Sequence, residues 1–391
     1  MKKIIYFLAV LSLTQCKSGG KTGIGELVEI DISKKYPVKE LYLQDIAKVE
    51  HIPLETNINT LMRSSATIVY VSDNYIVASN TTDGDVFVFD GKGKSKFSFN
   101  HKGQGPTNYI SLNSIAFDEQ AKEIFIFDRF SANPKFLVYA EDGKFKRILE
   151  CPSNFSPRDV YNFDDATLFV YDDYGLNQNR YSNKPYLLIS KKDGNVVDSL
   201  NIHLPVRVPN RVFHEVIVDG QTYTQPITLS MSNNRSYGKN FLITDWSSDT
   251  IYRLSPQKEL QPVIVRKPSV QKTEPKMVVT NNLITDKFIF FTKTVLDFEF
   301  VKKTMQFPPI MNMMYDFETG QINEYKLINK DFESSNIDFV STITTENTGV
   351  YKLDIAELFE EGKAGKIKGE LKQFLKSLNE EDNPILVKIT F

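Results

Sequence analysis

The chain has 391 residues, with 47 basic against 49 acidic side chains and a formal net charge of −2. Aliphatic and aromatic residues make up 41% and charged residues 25%, which is globular composition and excludes disorder and collagen-like structure. The near-neutral balance argues against a general nucleic-acid binder, and 28 Phe and 18 Tyr against one Trp favour strands, so an all-β secreted protein is expected.

The first residues read as an address. Met1-Lys2-Lys3 is a short positive start, and Ile4 to Leu13 is an apolar stretch too short to span a bilayer as a helix. This predicts a signal peptide over residues 1–15. Its end, Leu13-Thr14-Gln15-Cys16, resembles a bacterial lipoprotein signal, in which cleavage precedes a Cys that becomes lipidated. Gln15 stands where a small residue is usual. Cys16 is the expected lipid anchor, residues 16–26 a flexible tether, and residues 27–391 the folded body. The plain alternative is a secreted protein in which Cys16 is incidental. Loss of Lys2 and Lys3 leaves 45 basic and 49 acidic residues, a charge of −4, which suits a body held at a membrane by lipid alone. With Cys16 lipidated, Cys151 stands alone, so neither an intramolecular disulfide nor a Cys-based zinc site is expected. A small apolar packing role is expected for it instead. No later run of 18 apolar residues appears, so no second membrane element is expected.

The body repeats one phrase of apolar strands and Gly turns. Its copies begin at Tyr75-Ile76-Val77-Ala78, Ile124-Phe125-Ile126-Phe127, Leu168-Phe169-Val170-Tyr171, Phe241-Leu242-Ile243-Thr244 and Phe288-Ile289-Phe290-Phe291. Turn glycines fall at 93, 143, 194 and 320, with spacings of 50, 51 and 126, the last being twice 63. Four antiparallel strands per unit at this period is the arithmetic of a β-propeller blade, and the length of the body predicts six blades. The last unit is irregular. Leu371, Phe374, Leu375 and Leu378 share one face of a predicted C-terminal amphipathic helix, stopped by Asn383-Pro384. Ile385 to Phe391 then reads as a closing strand. Val49 to Leu54 is its natural partner, because a ring must leave no unpaired edge.

Three phrases carry a family resemblance: His51-Ile52-Pro53-Leu54-Glu55-Thr56, then Lys102-Gly103-Gln104-Gly105-Pro106 with Tyr109, then Asn383-Pro384-Ile385-Leu386-Val387. On these the chain resembles the six-bladed β-propeller lipoproteins of Bacteroides and relatives, over nearly the whole mature chain. Asn108 stands where that family often has an acidic residue. The resemblance implies fold, export and lipid anchoring to the cell envelope, at the outer membrane on its periplasmic or surface side. It implies no particular chemistry.

In a propeller, the loops joining strands two and three share one face with the loops joining successive blades. Gly hairpins lie on the other. Candidate ligand-binding residues on the loop face are Gln104, Tyr109, Arg129, Tyr174, Arg180, Tyr181 and Trp246. Aromatics among planar polar groups suit a sugar or peptide, since rings stack on apolar faces while amides and guanidinium groups bind edges. A tight structural turn at Gly103–Tyr109 and a solvated excursion at 172–184 are the plainer alternatives. The four His are scattered, and no nucleophile elbow, Walker loop or dinucleotide fingerprint appears. No catalytic residue, cofactor or metal ligand is assigned. Paired acids such as Asp164-Asp165 and Asp172-Asp173 leave calcium open. The favoured function is a non-enzymatic envelope module binding a glycan, peptide or partner protein, with no nucleic acid and with membrane contact through lipid only. The alternative is a metal-dependent lactonase- or lyase-like enzyme with a central-channel site, which rests on fold analogy.

Overall fold

The computed structural model describes residues 27–391 apart from positions 132, 153–154, 173–183, 203, 205, 210, 230–233, 238, 334–336 and 340–341. Three strands come first: β1 (Val28–Asp31), β2 (Val38–Tyr42) and, after the single turn α1 (Leu43–Ile46), β3 (Lys48–Pro53). Blade one is β4 (Thr67–Val71), β5 (Tyr75–Asn80), β6 (Asp85–Asp90) and β7 (Ser95–Asn100). Blade two is β8 (Ser114–Asp118), β9 (Glu123–Asp128), β10 (Lys135–Ala140) and β11 (Phe145–Glu150). Blade three is β12 (Pro157–Asn162), β13 (Thr167–Asp172), β14 (Tyr186–Ser190) and β15 (Val196–Ser199). A separate hairpin follows, β16 (Arg211–Val218) and β17 (Gln221–Thr228). Blade four is β18 (Asn234–Tyr237), β19 (Asn240–Ile243), β20 (Thr250–Leu254) and β21 (Leu260–Lys267). Blade five is β22 (Lys276–Ile284), β23 (Phe288–Leu296), β24 (Ile310–Asp316) and β25 (Gln321–Ile328), with α2 (Phe298–Thr304) between its middle strands. Blade six has β26 (Thr348–Leu353), then α3 (Ile355–Lys363) and α4 (Gly369–Phe374), then β27 (Ile385–Thr390).

The ring is closed by the chain's early strands. β3 pairs antiparallel with β27, His51 opposite Val387, as the sequence predicts. β1 and β2 were not foreseen as blade strands. They add in parallel to the outer edges of blades four and five, Val28 opposite Ile264 and Val38 opposite Glu324. The entering chain thus covers three successive outer edges that would otherwise expose unpaired backbone. At the centre, Ile343 bridges the innermost strand of blade one, with Val71 N–H donating to its carbonyl (2.9 Å).

Six apolar clusters lie between the six pairs of neighbouring blades. The second strand of blade two shows why. Phe125 and Phe127 pack toward blade three, while Ile124 and Ile126 pack toward blade one. Successive strand residues point to opposite faces, and both faces are covered. Such a strand reads as an unbroken apolar run, which is the repeating phrase of the sequence.

The C-terminal helix departs from expectation. One helix through Leu378 is predicted, but two short ones form, and α4 stops at Phe374. α3 starts at Asp354, whose carboxylate accepts from the Ala356 and Glu357 N–H groups. α4 enters through Gly369 at φ 53°. Helices this short depend on packing rather than propensity. The predicted apolar face still meets the core between blades five and six, with Leu371 buried and Phe374, Leu375 and Leu378 half-buried against it.

Candidate functional site

The two faces of the ring are distinct in their contacts. On the loop face, the Tyr109 hydroxyl donates to the Gly84 carbonyl (2.5 Å) and accepts from His101 N–H (3.0 Å). This locks the loop between blades one and two onto the β5–β6 loop. Burial pushes the Tyr109 phenol up to about 12. On the hairpin face, Gly91 packs against the Asp73 carbonyl of the β4–β5 turn, where a Cβ would come within 1.9 Å of that oxygen.

Several predicted ligand residues are placed otherwise than expected. Tyr109 is fully buried and Trp246 is buried too, so both rings are packing groups and not exposed contacts. The reason at Tyr109 is its bonds across two loops. The glycines around Gln104 serve a tight turn, since a Cβ at Gly103 or Gly105 would meet the Asn108 side chain at 2.8 and 2.9 Å. Gln104 and Arg129 are exposed on the loop face. Tyr174, Arg180 and Tyr181, with Cys16, lie outside the described residues. Cys151 is half-buried against the core of blades two and three, and burial raises its thiol above the usual range.

Trp246 anchors a satellite cluster of the loop face. With Val208, Leu229, Val270, Val278, Leu296 and Val301 it forms an apolar floor, and its indole N–H donates to Thr280 Oγ1 (3.1 Å). Val212 and Ile227 at the base of the β16–β17 hairpin pack on this floor, as do Phe298 and Phe307 beside α2. The hairpin turn is Asp219-Gly220, with φ of 51° and 75°. Positive φ at both positions is the two-residue turn whose twist matches antiparallel strands. Asp219-Gly220 after the run Val212 to Val218 is a legible hairpin signal in the sequence.

Above this floor the hairpin exposes Phe213 (59%), Ile217 (74%) and Tyr223 (48%). Phe130 (64%), Val206 and Met305 are exposed in other connections of the same face. The hairpin face exposes far less apolar surface among the described residues, Phe145 and Val197 being its large exposed side chains. Among the described residues no group of three or more His, Cys, Asp or Glu is placed to hold a metal ion, and no helix is long and apolar enough to cross a membrane.

On the hairpin face, charged contacts join strands and neighbouring blades. Lys191 Nζ donates to Asp118 Oδ2 (2.6 Å), both side chains being about 5% exposed, and so ties blade two to blade three. Arg147 donates to both oxygens of Glu123 (2.7 and 2.8 Å), and Lys146 lies 2.5 Å from the same carboxylate. Burial works against ionisation of Glu123, but its hydrogen bonds from Arg147 and Lys146 prevail and hold the carboxyl below its ordinary value of 4.5.

These blades, their closure and their two unlike faces define an all-β, six-bladed β-propeller. The chain belongs to the family described as a domain of unknown function, DUF4934, whose model matches residues 27–390. It is similar in structure to a proposed exported protein of Bacteroides fragilis NCTC 9343, with TM-score 0.63 and 17% identity over 94% of this chain and 99% of that one. A member of the duf4221 family from Bacteroides vulgatus atcc 8482 is more distant, at TM-score 0.47 and 10% identity over 88% and 96% of the two chains. No curated protein matches the chain.

Proposed function

We propose that this chain is an exported, lipid-anchored module of the cell envelope that binds a partner protein or peptide on its loop face without catalysing a reaction. The observation that supports this reading is the crowding of exposed apolar side chains onto that face, topped by the β16–β17 hairpin. Soluble monomers seldom expose large contiguous apolar patches, and apolar surface rimmed by polar groups marks interaction sites. A protein partner gains by burying Phe213 and Ile217, which share one face of the hairpin, whereas a glycan needs ring faces set among planar polar groups. Anchoring is assigned to Cys16, which precedes the body by about ten residues.

The test is photo-crosslinking of the full-length protein in native membranes, comparing wild type with Phe213→Ser/Ile217→Lys. Exposed positions of this kind change stability by less than about 0.5 kcal/mol, so the melting temperature should hold. Interface anchors each contribute about 1–2 kcal/mol or more, so the crosslinked adduct should fall at least tenfold. An adduct of undiminished yield in the double variant would remove the hairpin from the binding face. Cys16→Ser should release the protein from the membrane fraction, and retention there would overturn the anchor.

A further inference from the structure

We propose that the open edge of β16 takes up an extended segment of a partner protein as a third strand, held by main-chain hydrogen bonds. This rests on the loop-face reading and adds the form that the partner takes. β16 and β17 make a sheet of two strands, and among the described residues no other strand joins either of them. Arg211 to Val218 pair with β17 in unbroken register. The apolar floor packs on Val212 at the base of the strand, and Phe213, Glu215 and Ile217 beyond it are exposed. An unpaired strand edge of this kind presents a row of N–H and C=O groups to another chain.

The turn decides which groups those are. Val218 and Gln221 flank the two-residue turn, so they exchange both of their backbone hydrogen bonds. The alternation then runs down the hairpin. Val212, His214, Val216 and Val218 bond inward to β17, while Phe213, Glu215 and Ile217 aim their N–H and C=O groups outward. On β17 the outward positions include Thr222, Thr224 and Pro226, the last opposite Phe213. Proline has no N–H and so blunts that edge. The outermost strands of the six blades are guarded in other ways. β1 is only four residues long, β2 and β3 carry Lys39 and Lys48, and β7, β11 and β15 break register with the strand beside them. β16 is eight residues long and free of both lysine and proline.

The side chains at the outward positions describe the occupant. Phe213, Glu215 and Ile217 run apolar, acidic, apolar along one face of the sheet. An added strand sets its own residues directly opposite these, where unlike charges stabilise and like charges destabilise. The fitting segment is extended, with Lys or Arg opposite Glu215 and an apolar residue two positions to either side. Matching the whole exposed stretch of two copies about a two-fold axis would instead set Glu215 against Glu215. Charge therefore favours a basic partner segment over a second copy of this chain.

The experiment is photo-crosslinking of the full-length protein in native membranes, with the photoreactive residue at Thr222 in every variant. Glu215 and Thr224 lie opposite each other, so a proline at either disturbs the hairpin alike. Only Glu215→Pro removes an outward donor of β16. It should cut the adduct about tenfold, one hydrogen bond's worth, and Thr224→Pro should leave it within about twofold of wild type. Glu215→Lys keeps every backbone group and should lower the adduct about fivefold through charge. Mass spectrometry of the adduct should find a partner segment with Lys or Arg between apolar residues at two-residue spacing. Full adduct in Glu215→Pro, or equal loss in both proline variants, would overturn the added strand. The loop-face reading would then still stand or fall on Phe213→Ser/Ile217→Lys, which spares the backbone. An adduct of twice the chain's own mass would put a second copy on the edge and overturn the partner.

Discussion

On the hairpin face, Lys191 reaches from blade three to Asp118 of blade two and Arg147 clasps Glu123. On the loop face, Trp246 and its neighbours form an apolar floor under the β16–β17 hairpin, which exposes Phe213 and Ile217, and Phe130 is exposed in a connection of blade two. The first face spends its charges inside the molecule, on partners in the same sheet or the next blade. The second leaves apolar surface outside, where water disfavours it. A face whose polar groups already have partners offers a ligand little, whereas exposed apolar side chains gain from being covered. The two faces of one fold thus differ in how much apolar surface they leave exposed among the described residues.

Asp118→Ala should give the largest effect. It leaves the Lys191 ammonium, in a site about 5% exposed, with the Asp164 carbonyl but no counter-charge, and removing one partner of a buried pair costs about 3–5 kcal/mol. Urea denaturation measures this, and a loss under 1 kcal/mol would mean that the hairpin face is not held by its charges. Trp246→Phe comes next. It keeps an aromatic ring in the floor but loses the bond to Thr280 and some area, at about 1–2 kcal/mol. Crosslinking through the hairpin should survive it; loss of the adduct at full stability would make Trp246 a contact and blur the division between floor and surface.

The smallest effect is one of pH. The Glu123 carboxyl titrates below its unfolded value of 4.5, so its contribution is present above that value. It is lost as pH falls through the lower, folded value. Glu123→Gln should flatten the fall of stability in acid relative to wild type, and an unchanged slope would show that the clasp with Arg147 adds nothing. Loop-face variants such as Ile217→Lys should leave that slope alone, since no titrating group is lost with them.

Two of the three phrases that carry the family resemblance are elements of ring closure, and the third locks loops together. His51 to Thr56 and Asn383 to Val387 are far apart in the chain but meet in blade six. The Asn383 amide, 1% exposed, accepts from Met62 N–H (2.8 Å) and donates to the Glu55 and Thr60 carbonyls (2.9 and 2.7 Å). Read along the sequence, Asn383-Pro384 was a helix stop and part of a family phrase, with no sign of these bonds. Lys102 to Tyr109 locks two loops of blade one through the Tyr109 hydroxyl. These phrases hold the ring together and give no direct pointer to a ligand.

What the linear chain determined was the architecture. Alternating burial on both sheet faces writes unbroken runs such as Ile124–Phe127, and Gly143 and Gly194, at φ of 82°, punctuate them. Both signals are local, so they survive in one dimension. Strands β1 and β2 were not legible, because which outer edge they cover depends on where the ring brings blades four and five. Nor was the burial of Tyr109 and Trp246, since an aromatic in a loop reads alike whether its ring faces water or a floor built from other blades. The tertiary structure alone decided that β16 keeps an open edge while β1, β2 and β3 are taken up by the blades. A strand reads the same in sequence whether or not the ring brings a partner beside it.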